Sequence, residues 1–131
     1  AALLSVKLSH YDELRKDRAK KVNKYLKNIN NSNIVLPTIR EGSDHVWHLF
    51  VIRIENRERF QNHLTKNGIG TQVHYPIPPH LSEAYIYLGH KEGKYPITEN
   101  YANTVVSLPL YDGITDEEID YVIETINRYE G

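Results

Sequence analysis

The sequence contains no cysteine, so neither disulfides nor thiolate metal sites can form, a composition that fits the cytoplasm. Methionine is absent as well, even at position 1, and the chain therefore reads as a piece of something larger. No apolar run approaches the ~20 residues of a membrane span, and no signal peptide opens the chain. A net charge of −1 gives no general attraction for nucleic acid or for membranes. Phosphate-binding glycine loops, nucleophile elbows, zinc helices and paired-carboxylate signatures are all missing. Gly68-x-Gly70 lacks the third glycine of a dinucleotide fingerprint and enters a strand instead of a helix. What is present is a 131-residue chain of ordinary globular composition, enough for one domain with a real core.

Residues 3–29 carry a single helical pattern, with Leu4, Leu8, Tyr11, Ala19, Val22, Leu26 and Ile29 at steps of three and four. Lys16, Lys20, Lys24 and Lys27 lie on the opposite side and read as a solvated face. Such a helix exceeds the needs of so small a domain, and its apolar stripe implies an exposed surface that meets something else. Ile34 to Leu36 is a short edge-strand candidate stopped by Pro37. His45 to Ile54 is the strongest strand, aromatic and β-branched. Residues three apart on a strand face opposite ways, so His45 and His48 do not share a metal, and His48 is expected beside Phe50. Asn56 is placed to cap the next helix, and Ile69 to Val73 reads as a second strand. Pro96 suits the first turn of a further helix, and Val105 to Leu108 reads as another strand. Thr115-Asp116-Glu117-Glu118 has the form of a capping box opening a last amphipathic helix. The sum is an α+β domain with a small, mainly antiparallel sheet packed with helices.

One stretch stands apart. Gly68 supplies the positive φ that commonly closes a helix, and the strand after it runs into His74-Tyr75-Pro76-Ile77-Pro78-Pro79-His80. Three prolines fix the direction in which the chain leaves the sheet. His74, Tyr75 and His80 thus ride on a stiff loop, a common setting for ligand contacts. A proline-rich connector with solvated histidines is the competing reading.

Three segments together resemble one family. AALLSVKL at the start, HVWHLFVIRI followed by NGIGTQVHYPIPPH, and YANTVVSLPLYDGITDEEI near the end are similar to the C-terminal small domain of DegT/DnrJ/StrS-type nucleotide-sugar aminotransferases. Ser82 stands where glutamine is frequent in that family. The resemblance implies that residues 1–131 are the small domain of a fold-type I aminotransferase, with 1–30 a long helix leading from a large domain. It implies pyridoxal phosphate as cofactor, a keto-sugar nucleotide and an amino-acid donor as substrates, and a homodimer as the intact enzyme. Surface polysaccharide, lipopolysaccharide or antibiotic-sugar biosynthesis is the setting it implies. The Schiff-base lysine, phosphate ligands and pyridine-facing aspartate belong by resemblance to the large domain, so this segment alone is expected to be inactive. Lys66, Lys91 and Lys94 are no substitutes. The histidine of the HYP motif maps to His74 as a substrate contact, with Tyr75 near the same ligand. His80 is either a further contact or a brace of the loop. A non-catalytic nucleotide-sugar-binding module and a dehydratase variant of the same family remain as alternatives.

Overall fold

In the computed structural model, which describes residues 1–131, three helices cover one face of a small antiparallel sheet. The elements in order are α1 (Ala2–Ser9), α2 (Tyr11–Asn28), β1 (Phe50–Arg53), α3 (Arg57–Lys66), α4 (Pro96–Thr104), β2 (Val105–Leu108) and α5 (Asp116–Asn127). Two 3₁₀ turns, Pro79–Leu81 and Glu83–Leu88, follow the proline loop. β1 and β2 pair from Phe50 opposite Leu108 to Arg53 opposite Val105. A single bridged residue flanks the pair on each side. Val35 exchanges both backbone bonds with Arg53, and Gln72 does the same with Ser107.

Alternation along the strands divides the sheet into two faces. Phe50, Ile52, Val106 and Leu108 enter the core with Val22 and Tyr25 of α2, Phe60 and Leu64 of α3, and Ile119, Val122, Ile123 and Ile126 of α5. Ser107, between two core residues of β2, lies on the other face and is nonetheless buried. α5 begins with the expected reciprocal box: the Glu118 amide donates to Thr115 Oγ1 at 3.1 Å, and the Thr115 amide donates to Glu118 Oε2 at 2.8 Å. Pro96 occupies the first turn of α4. Asn56 stands at the N-cap of α3, but its side chain makes no capping bond.

Three expectations need correction. The 3–29 helix is two helices, broken at His10, whose φ of −104° and ψ of 3° leave the helical range. No residue of α1 is buried, so packing within this chain does not hold it in line with α2. The long strand 45–54 is reduced to Phe50–Arg53. Trp47 is buried with φ at 51°, a left-handed conformation incompatible with a strand. Its amide donates to His45 Nδ1 at 2.9 Å, while Arg18 donates to the Trp47, Leu110 and Asp112 oxygens and ties α2 to two loops. His48 sits exposed, whereas Phe50 is buried, so His48 is not the packed residue the strand pattern implies. The strand at 69–73 likewise shrinks to the single bridge at Gln72.

Candidate functional site

The proline loop is built upward from the end of α3. The Gly68 amide donates to the Thr65 carbonyl at 3.0 Å and the Ile69 amide to the Leu64 carbonyl at 2.9 Å. This is the paired closure of a Schellman motif, with Gly68 at φ 73°. Ile69 is thereby turned into the core beside α3, and Gln72 is delivered to the edge of β2. Two residues later His74 Nδ1 lies 2.9 Å from Ser107 Oγ. The backbone of Ser107 pairs with Gln72 while its hydroxyl meets His74. One β2 residue therefore fixes both the path of the loop and the rotation of the imidazole. With Nδ1 engaged, Nε2 is the ring nitrogen left for a ligand.

Tyr75 packs edge-on to His74, ring centres 5.6 Å apart, and is 74% exposed. It presents a ring and a hydroxyl outward with no partner holding them. His80 differs. Its side chain is only 8% exposed, and Nε2 lies 2.9 Å from Glu99 Oε1. The Tyr95 ring closes over it edge-on at 4.8 Å. Glu99 also accepts from the Gly93 amide at 2.7 Å and the Tyr95 amide at 3.1 Å. Those backbone donors, the Tyr95 amide foremost, and then His80 hold its carboxyl below the usual carboxylate range. The structure thus makes His74 and Tyr75 neighbours, and places His80 in a separate buried contact at the far end of the loop.

Ser107 and Glu99 were not picked out from the sequence. Ser107 lies 33 residues from His74, and no local pattern links the two. Glu99 did leave a trace. An acid in the first turn after Pro96 is suited to reach back to the exposed N–H groups of a helix start, as the glutamate of a capping box does.

The segment running through the His74 loop and the strand beneath it matches the DegT/DnrJ/EryC1/StrS aminotransferase family over residues 1–127. The chain belongs to this family. Among curated relatives it is 43% identical, over 98% of its length, to a dTDP-3-amino-3,6-dideoxy-alpha-D-galactopyranose transaminase of Aneurinibacillus thermoaerophilus. It is 35% identical, again over 98% of its length, to a dTDP-3-amino-3,4,6-trideoxy-alpha-D-glucose transaminase of Streptomyces venezuelae. It spans 35% and 34% of those two proteins, about a third of each. Of solved structures, S. venezuelae DesV in complex with a ketimine intermediate superposes with a TM-score of 0.93 at 35% identity, covering 96% of this chain and 34% of that one. A DegT/DnrJ/EryC1/StrS aminotransferase from Brucella abortus superposes at 0.86 with 25% identity, covering 95% and 33%. The α+β domain therefore has the fold of the matching third of these aminotransferase structures.

Pyridoxal phosphate requires a lysine for its Schiff base and an acid at its pyridine nitrogen. Lys21, Lys66, Lys91 and Lys94 do not fit that demand. Lys66 ends α3 in solvent, and Lys91 and Lys94 stand exposed before α4. Lys21 is buried, but its ammonium donates to Asp17 one turn earlier at 2.7 Å. No helix is long and apolar enough to cross a membrane.

Proposed function

We propose that this chain is the C-terminal domain of a cytoplasmic, pyridoxal-phosphate-dependent transaminase that moves an amino group from glutamate to a keto-sugar nucleotide. The observation that carries the reading is the family match over nearly the whole chain, continuous through a loop in which His74 is held by buried Ser107 with Nε2 left over. In this reading the cofactor and its lysine belong to the other two thirds of the protein. The domain supplies a rigid surface for the nucleotide sugar. His74 donates from Nε2 to a diphosphate or sugar oxygen, and Tyr75 offers a ring edge and hydroxyl to the same ligand. The apolar side of α1, with Leu4 72% exposed, supports packing against the rest of a homodimeric enzyme.

The test uses the full-length protein loaded with pyridoxal phosphate, supplied with glutamate and a panel of keto-sugar nucleotides and read by mass spectrometry. Conversion of a carbonyl to an amine in a nucleotide sugar, with 2-oxoglutarate formed in equal amount, is the expected result. Loss of water from the sugar without amine transfer would replace the reading with a dehydratase. Sugar-nucleotide binding without turnover would replace it with a binding module.

A further inference from the structure

Glu99 has no role in the reading above, although its side chain is only 13% exposed and both carboxylate oxygens are occupied. Its three donors come from two different segments: His80 from the proline loop, and Gly93 and Tyr95 from the glycine-rich stretch before α4. Glu99 itself lies in the first turn of α4, and α4 runs without a break into β2. Glu99 and Ser107 therefore belong to one continuous helix-strand unit. That unit grips the loop at both ends, with Ser107 on His74 and Glu99 on His80. Between the grips, Pro76, Pro78 and Pro79 remove most backbone freedom, and Pro78 is buried.

We propose that Glu99 is a positioning residue for substrate binding. It holds His80, and through His80 the path of residues 74–80, so that His74 and Tyr75 meet the nucleotide sugar in a single arrangement. His80 acts as the brace in this lock and not as a contact to the ligand. Its Nε2 is already taken, and the ring is closed in by Tyr95. The inference rests on the reading of the His74 loop as substrate-facing.

Substitutions separate the roles by their donor and acceptor chemistry. Glu99→Gln has one carbonyl oxygen in place of two carboxylate oxygens, so at least one of the Gly93 and Tyr95 amides faces an NH₂ group and loses its acceptor. His80→Gln keeps an N–H donor for Glu99, whereas His80→Ala keeps none. In the full-length, cofactor-loaded protein, the steady-state parameters for the nucleotide sugar, the glutamate half-reaction and amide hydrogen exchange over residues 74–82 are measured together.

Glu99→Gln and His80→Ala are expected to raise KM for the nucleotide sugar about tenfold, the size of losing one hydrogen bond to a charged group. Both should speed exchange over 74–82 and leave the glutamate half-reaction unchanged. His80→Gln should restore both readouts to near wild type. A His80→Gln variant as impaired as His80→Ala, with exchange unaltered in both, would make His80 a direct contact and overturn the proposal. Unchanged KM and exchange in Glu99→Gln would overturn it as well. If Glu99→Gln does not fold, the comparison of His80→Ala with His80→Gln carries the test alone. Should the wild-type protein show no amine transfer, the transaminase reading fails separately; faster exchange in His80→Ala, restored in His80→Gln, would still support the lock.

Discussion

Replacing Tyr25 with phenylalanine removes one hydroxyl from the middle of the core and keeps the ring. That ring is fully buried and stacks on Phe50 with centroids 4.9 Å apart, while the hydroxyl donates to the Pro109 carbonyl at 2.9 Å. The bond fastens α2 to the residue just beyond β2. At neutral pH its loss costs about 1 kcal/mol, the usual net value of an intramolecular hydrogen bond. The same burial, together with the nearby Tyr111, pushes the Tyr25 phenol far above its ordinary pKa. The sign follows from linkage. In the unfolded chain the phenol ionises near pH ~10, but the native state keeps its proton. Tyr25 therefore contributes fully below pH ~10, and that contribution falls as pH rises above it. One pH unit higher the loss reaches about 1.4 kcal/mol, from ~1.36 kcal/mol per pK unit. Tyr25→Phe has no such loss. It should be about 1 kcal/mol less stable than the parent near pH ~7, the difference should vanish between pH ~10 and ~11, and by pH ~11 the variant should be slightly the more stable. Urea unfolding of the chain and its variant across that range gives the comparison, and the remaining tyrosines cancel because both proteins carry them. A stability difference independent of pH would mean that the phenol is not held protonated by burial.

Thr115→Ala should lower stability by about 1 kcal/mol, the typical value of an N-cap side chain, because the Glu118 amide loses its acceptor; the shift of the thermal midpoint measures it. Asp116 begins α5 and accepts from Lys20 at 2.8 Å. That hydrogen bond, followed by the charges of nearby lysines, holds its carboxyl below the ordinary value of 3.8. Its contribution is therefore present above pH ~4 and lost as pH falls through the lowered native value. Asp116→Asn should flatten the acid limb of a stability-versus-pH curve. Leu4→Ser with Leu8→Ser should leave the thermal midpoint unchanged, because those side chains are 72% and 70% exposed. Sedimentation should show weaker self-association than the parent chain.

Where local chemistry decides the structure, the sequence was readable. Gly68, Pro96 and the Thr115–Glu118 box each act within a few residues, and each sits at its expected helix end. Failures came where distant groups override a local pattern. His45 to Ile54 has strong strand composition, but burial of Trp47 and the Arg18 bonds from α2 turn the chain until Phe50. Ile69 to Val73 keeps its strand character only at Gln72, where β2 offers a partner. The candidate site divides in the same way. His74, Tyr75 and His80 were visible because histidines and a tyrosine on a proline-stiffened loop are conspicuous. Ser107 and Glu99, their respective partners at His74 and His80, lie 33 and 19 residues further on, and only folding brings them together.

In the proposed enzyme this domain meets the nucleotide sugar through His74, and His74→Ala in the full-length protein removes that contact. Stopped-flow measurement of the two half-reactions separates sugar binding from chemistry at the cofactor. KM for the nucleotide sugar is expected to rise about tenfold to a hundredfold, the range for a hydrogen bond to a charged group, while the glutamate half-reaction keeps its wild-type rate. A glutamate half-reaction slowed as severely as the sugar half-reaction would instead place His74 at the cofactor and not at the sugar.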